Sequence, residues 1–81
     1  MKLRCIAECI NIYKKSSSPA FRDLKIGDVI NFSINIESVG KTSHGTHAAY
    51  INCYNPRTNQ ASSLSFNQIE RVLANFEFRE I

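Results

Sequence analysis

No stretch of this chain approaches the ~20 consecutive apolar residues that a membrane-crossing helix requires. The opening MKLRCIAEC is charged at positions 2, 4 and 8, so it lacks the unbroken apolar core of a secretion signal. Both absences point to a cytoplasmic protein with no membrane partner. Cysteine is sparse, and its count of three is odd, which suits reduced thiols better than a disulfide framework. Asn31-Phe32-Ser33 spells a glycosylation acceptor, irrelevant in that compartment. There is no internal repeat, and no low-complexity tract beyond the serines at 16–18. Eighty-one residues make a single domain, 1–81, which buries only roughly 60–65% of its unfolded surface. Such a chain has one thin core and no space for a deep, water-excluding catalytic cleft.

The sets of residues that carry chemistry are incomplete. Gly40-Lys41-Thr42 ends like a phosphate-binding P-loop, but the first glycine of that pattern falls on Asn35. A P-loop also runs from a strand into a helix, whereas this segment continues into a second strand. Cys5, Cys9, His44, His47 and Cys53 suggest zinc, yet Cys-x3-Cys and His-x2-His match no usual finger or ribbon. On an extended strand Cys5 and Cys9 stand ~13 Å apart, too far to share an ion. Buried, hydrophobe-like thiols are the simpler reading. A Cys53/His47 nucleophilic pair would lack an orienting acid, an oxyanion-stabilising turn and a pocket. We therefore expect no enzyme activity, no cofactor and no metal.

What is present is patterned for strands. Ile30, Phe32, Ile34 and Ile36 alternate with Asn31, Ser33, Asn35 and Glu37, the period of a strand with one wet face. Residues 49–54 alternate too, Ile51 and Cys53 opposite Tyr50, Asn52 and Tyr54, and a polar segment with two glycines separates the two runs. This predicts a long β-hairpin. Residues 2–13 read as the first strand, although Leu3, Ile6, Ile10 and Tyr13 also have helical spacing. The second row of that strand is mixed, Arg4, Ile6, Glu8, Ile10 and Ile12, which predicts a bulge or a change of buried face. Residues 14–22 read as a loop by composition, and Gly27 supplies a tight turn before the long strand. After a turn at 55–60, a strand at 61–66 should bury Leu64 and Phe66. Asn67 is the expected cap, with Glu70 three residues on, for a short helix at about 68–75 striped by Ile69, Val72, Leu73 and Phe76. Residues 76–81 alternate again and predict a closing edge strand whose charges discourage sheet extension. The fold class is thus mainly β with α: a small five-stranded curved sheet or partly open barrel with one short C-terminal helix. Leu24-Lys25-Ile26-Gly27-Asp28-Val29-Ile30 resembles the L-K-x-G-D-x-I strand entry of small SH3-like and OB-like barrels, and the resemblance implies that architecture.

Charge is uneven. Residues 1–25 carry six cations (Lys2, Arg4, Lys14, Lys15, Arg22, Lys25) against Glu8 and Asp23, while 26–66 balance and the remainder carries one net negative charge. Two candidate surfaces follow. The first comprises the hairpin residues Lys41, Ser43, His44, Thr46 and His47 with Tyr50, Asn52 and Tyr54, which mix aromatics and amides as a protein interface does. The second is the basic set Lys14, Lys15, Arg22 and Lys25 which, with Tyr50 and Tyr54 and with Tyr13 alongside, would grip a nucleic acid by charge and stacking. Alternation leaves open which face of the Tyr50/Tyr54 strand is buried. In size and in its asparagine- and serine-rich composition the chain resembles small accessory proteins of bacteriophages and other mobile elements. That resemblance implies a non-enzymatic binding protein, an inhibitor or adaptor that blocks a host protein such as a defence or nuclease component. The alternatives are a nucleic-acid-binding barrel and a small-nucleotide binder whose hairpin donates to an anion, its pocket completed across a homodimer.

Overall fold

The computed structural model describes residues 2–38 and 47–81, and the side chains of 4–34 and 50–81. Five strands form one curved, unclosed antiparallel sheet: β1 (Lys2–Ile12), β2 (Val29–Ser38), β3 (His47–Asn55), β4 (Gln60–Leu64) and β5 (Phe76–Glu80). The single helix among the described residues, α1, spans Phe66–Leu73. Strand order is β4-β3-β2-β1-β5, a four-strand meander whose last strand returns beside the first. A Greek-key order of the OB kind is therefore not the one adopted.

Residues 2–12 are a strand and not a helix, and the mixed second row has the predicted cause. The pairing of β1 with β5 slips between Cys9 and Asn11, so one extra residue is accommodated and Ile10 is left half-exposed. The hairpin is in register along its full length, Asn31 opposite Tyr54 through Ser38 opposite His47. Its buried row is Ile30, Phe32, Ile34, Ile51 and Cys53. Gly27 takes φ +96°, where a side chain would be strained. Its N–H donates to the Cys9 carbonyl at 2.8 Å, and the Cys9 N–H donates to the Asp28 carbonyl at 2.8 Å, tying the turn to β1.

Two expectations at the C-terminal end are corrected. The helix begins at Phe66 and ends at Leu73, two residues earlier than the spacing suggested. Ser65 outcompetes Asn67 as the cap because Gln68 completes a reciprocal box. The Gln68 N–H donates to Ser65 Oγ at 3.3 Å, and the Ser65 N–H donates to Gln68 Oε1 at 2.9 Å. Phe66 consequently occupies the first helical position, half-exposed instead of in the core, and Phe76 belongs to β5. Ile69 is buried and Val72 packs behind it. Eight residues are too few for a helix stable by itself, so this packing holds α1 in place.

The largest departure concerns residues 14–28. Serines, lysines and a proline do make a loop there, but it plugs the core. Ala20, Phe21 and Leu24 are buried, Phe21 almost completely. Its ring lies 5.7 Å from that of Phe76 and 6.3 Å from those of Phe32 and Phe78. Polar groups pin the loop down. Ser62 Oγ accepts the Ala20 N–H at 3.0 Å and bonds Ser18 Oγ at 2.8 Å. Asn55, fully buried, donates from Nδ2 to the Ala20 carbonyl at 3.4 Å. The buried Asp28 carboxylate accepts the Lys25 N–H at 2.9 Å and Arg57 Nε at 2.8 Å, while the Arg57 guanidinium also donates to the Asp23 carbonyl. One face of the sheet is thus covered by this loop at one end and by α1 at the other; the opposite face has no layer over it among the described residues.

Candidate functional site

The uncovered face is built by the strand period. With Ile51 and Cys53 turned into the core, Tyr50, Asn52 and Tyr54 must point outward, which resolves the choice that alternation left open. Register then fixes their neighbours. Ile6 lies opposite Asn31, and Asn31 opposite Tyr54; Arg4 lies opposite Ser33, and Ser33 opposite Asn52. Ile6, Tyr50 and Tyr54 are 47%, 45% and 37% exposed, large apolar side chains on one contiguous sheet surface. Tyr50 and Tyr54 stand ~13 Å apart along β3, with Asn52 between them. The Tyr54 phenol donates to Asn59 Oδ1 at 2.7 Å, which fixes the ring's tip and leaves its face free. A shallow groove of 280 Å³ runs between these residues, bordered by Arg4, Ile6, Asn31, Ser33, Asn52 and Tyr54. An exposed Glu8/Arg79 ion pair at 2.6 Å flanks it and contributes little to stability.

Of the expected partner-binding residues, Lys41, Ser43, His44 and Thr46 lie outside the described residues. His47 opens β3, but its side chain is likewise outside them. Tyr13 does not join the other tyrosines. It lies seven residues beyond Ile6, about 23 Å away just past the end of β1, where its phenol donates to Glu77 Oε2 at 2.8 Å. That bond to a carboxylate, followed by desolvation, raises its pKa. Lys14, Lys15, Arg22 and Lys25 are all exposed. Lys15, Arg22 and Lys25 gather around Phe21 and Phe76, on the covered side of the sheet and away from the tyrosines. A nucleic acid held by both sets would have to pass around the sheet edge.

Sequence reasoning missed Arg4, Ile6, Asn31 and Ser33 as members of the open face. The signal was present: Ile6 sits in the row of β1 that also holds Arg4 and Glu8, so either an isoleucine is exposed or two charges are buried.

A second recess, 400 Å³ and almost wholly apolar, opens between α1 and the sheet, with Phe32, Ile51, Ile69 and Leu73 in its lining and Cys5 and Glu80 beside them. Its chemistry is quiet. Burial, then the Glu80 carboxylate, raises the Cys5 pKa. Burial likewise raises Cys9, and burial alone pushes Cys53 up to about 12. Among the described residues no three of His, Cys, Asp and Glu are grouped to hold a metal ion, and no helix is long and apolar enough to cross a membrane.

The Cys53 shift has a measurable sign. The thiol titrates near 9 when unfolded and about 12 when folded, so its contribution to stability is intact below pH 9 and is lost as pH rises from 9 toward 12. Chemical denaturation from pH 8 to 11 should show wild type losing stability more steeply than Cys53→Ala. Parallel profiles would show that Cys53 is not the group responsible.

Comparison of the chain with protein-family models, curated proteins and solved structures returned no match.

Proposed function

We propose that this protein is a non-enzymatic binding domain, an adaptor or inhibitor that engages a protein partner through the open face of its sheet. The observation that carries this reading is the exposure of Ile6, Tyr50 and Tyr54 on one uncovered surface among Asn31, Ser33 and Asn52. Aromatic and aliphatic anchors set in neutral amides and hydroxyls make the composition of an interface core, where Lys, Asp and Glu are depleted. Five strands at ~4.8 Å spacing and about seven shared residues at ~3.3 Å each give a face on the order of 500 Å². A standard interface takes about 800 Å² from each side. A partner must therefore also reach past the strand ends; Lys41, Ser43, His44 and Thr46, between β2 and β3 in sequence, and His47 are proposed as further contacts. Three unpaired thiols fit a reducing, cytoplasmic setting. A host protein blocked by an accessory protein of a phage or mobile element is the partner class this reading favours.

The nucleic-acid alternative is less well supported. Among the residues whose side chains are described, the open face offers a polyanion Arg4 and the already neutralised Arg79, with Lys2 next in the Arg4 row of β1. The test is capture of a partner from nuclease-treated lysate by wild type, by Tyr50→Ser/Tyr54→Ser and by Ile6→Asp. The exposed positions leave folding intact, and each variant should weaken a nuclease-resistant complex by at least ~30-fold, the ~2 kcal/mol of an interface hot spot. Undiminished binding by both variants would remove this face from the proposal. Capture that disappears with nuclease would favour nucleic acid.

A further inference from the structure

β1 is an interior strand with an open edge along part of its length. It pairs with β2 from Lys2 to Glu8, but with β5 only from Ala7 onward. The last bond on the β5 side runs from the Ile81 N–H to the Ile6 carbonyl at 2.9 Å. Backbone N–H and C=O groups turn to opposite sides of a strand at successive residues, so Ile6 sets the direction for the residues before it. Cys9 agrees with this alternation, since its N–H donates on the other side, to the Asp28 carbonyl. The backbone groups of Arg4, and of Lys2 before it, therefore face outward beyond the end of β5. No strand pairs with them there among the described residues. Such a row is a template for one more strand.

This edge opens onto the 400 Å³ apolar recess under α1. Cys5, Phe32, Ile34 and Phe78 in the lining are all partly exposed, and Leu73 is 37% exposed, so the walls present surface to an occupant. The volume is above the ~300 Å³ at which ligand pockets begin. β5 shows how a strand on this side uses both faces of the sheet. Its Phe78, opposite Cys9, packs against the core, while Arg79, opposite Glu8, forms an ion pair with it on the open face. Farther along β1 the sign of the open-face row reverses: Ile6 is followed by Arg4 and then by Lys2. Arg4 takes part in no ion pair among the described residues.

We infer that the β1 edge at Lys2–Cys5 binds an extended peptide in which apolar residues alternate with aspartate or glutamate. The peptide adds as a strand in line with β5. Main-chain bonds to Arg4 supply affinity, and the alternate side chains supply specificity. An apolar side chain opposite Cys5 enters the recess, and acidic side chains take the positions opposite Arg4 and Lys2. Opposite charges facing each other across a strand pair stabilise it, and like charges destabilise it. The same row argues against a second copy as the occupant. Two such edges meeting about a two-fold axis would set Arg4 against Arg4 or against Lys2. The site needs neither Tyr50 nor Tyr54, so it stands or falls apart from the open-face reading.

The test is fluorescence anisotropy of the full chain with a labelled peptide that alternates glutamate with valine and phenylalanine, and with its lysine-for-glutamate counterpart. Wild type should prefer the acidic peptide. Arg4→Glu, at an exposed position, should weaken that peptide by at least ~5-fold and strengthen the lysine peptide, because it reverses one cross-strand charge pair. Leu73→Gln, which makes one wall of the recess polar, should weaken the acidic peptide by at least ~3-fold. Methylating the peptide's backbone nitrogens should abolish binding, and hydrogen exchange at the Arg4 amide should slow when the unmethylated peptide is bound. Tyr50→Ser/Tyr54→Ser should bind it like wild type, which separates this edge from the open face. Absence of binding at millimolar peptide would overturn the inference. So would an unchanged preference in Arg4→Glu, or undiminished binding of the methylated peptide. A chain that sediments as a dimer and binds neither peptide would assign the edge to a second copy and overturn it as well.

Discussion

Phe21→Ala is expected to destabilise the protein by about 3–5 kcal/mol, the range for truncating a buried phenylalanine. The position is a loop residue, and loop substitutions ordinarily change stability by less than ~0.5 kcal/mol. What distinguishes Phe21 is its place: almost no exposed surface, and contact with the rings of Phe32, Phe76 and Phe78 at 5.7–6.3 Å. Those three rings come from β2 and β5, strands separated by β1, so the loop residue bridges parts of the sheet that do not pair with each other. A domain of this length has a total stability of roughly 4–12 kcal/mol, and the loss is a large share of it. Urea denaturation would read it as a midpoint lowered by about 2–5 M, given a slope near 1–1.5 kcal/mol/M for a small protein. Phe21→Leu should recover roughly half. A cost below ~1 kcal/mol for the alanine variant would mean that the loop lies on the core without forming part of it.

The second large effect is expected at Arg57, and it is asymmetric. Asp28 is only 8% exposed, whereas Arg57 is 42% exposed. Removing the arginine leaves a carboxylate buried with the Lys25 N–H as its remaining donor. Removing the carboxylate leaves a guanidinium that water can reach. Breaking a buried pair from one side costs about 3–5 kcal/mol, and the exposure of Arg57 lowers that to about 2–3 kcal/mol for Arg57→Met. Asp28→Asn should cost less, since the amide keeps an acceptor for Lys25 and places no charge in the core. The double variant should be less destabilised than the sum of the two singles by at least ~1 kcal/mol. Strict additivity, measured by denaturation of all four proteins, would show that the two groups act separately.

How far the sequence carried depended on whether a feature was periodic. Alternation over residues 30–37 and 49–54 was enough to place both hairpin strands and their buried rows, and Gly27 announced its own turn. The helix was visible, but Ser65 and Asn67 are both capping residues, and only the side-chain geometry of Gln68 separates them by two positions. The loop core was not legible. Phe21 stands among serines, lysines and a proline, and its burial is set by long-range contacts to Phe76 and Phe78, which no local pattern encodes. The open face was half legible. Tyr50, Asn52 and Tyr54 were singled out together, but their exposure, and the inclusion of Arg4, Ile6, Asn31 and Ser33, needed the cross-strand register. The separation of the basic residues from the tyrosines also depended on knowing which side of the sheet the loop covers.

The strand order carries a consequence for how the chain assembles. β1, β2, β3 and β4 each pair with a neighbour in sequence, but β1 lies inside the sheet and its other edge waits for β5, with Ala7 meeting Glu80 far along the chain. Closing so long a loop costs more entropy than closing a hairpin, so β5 docks late and is the natural first element to detach. Phe76 and Phe78 leave with it. A nascent or transiently opened chain therefore shows a bare β1 edge beside half of its aromatic cluster, the state from which misassembly with another copy would begin.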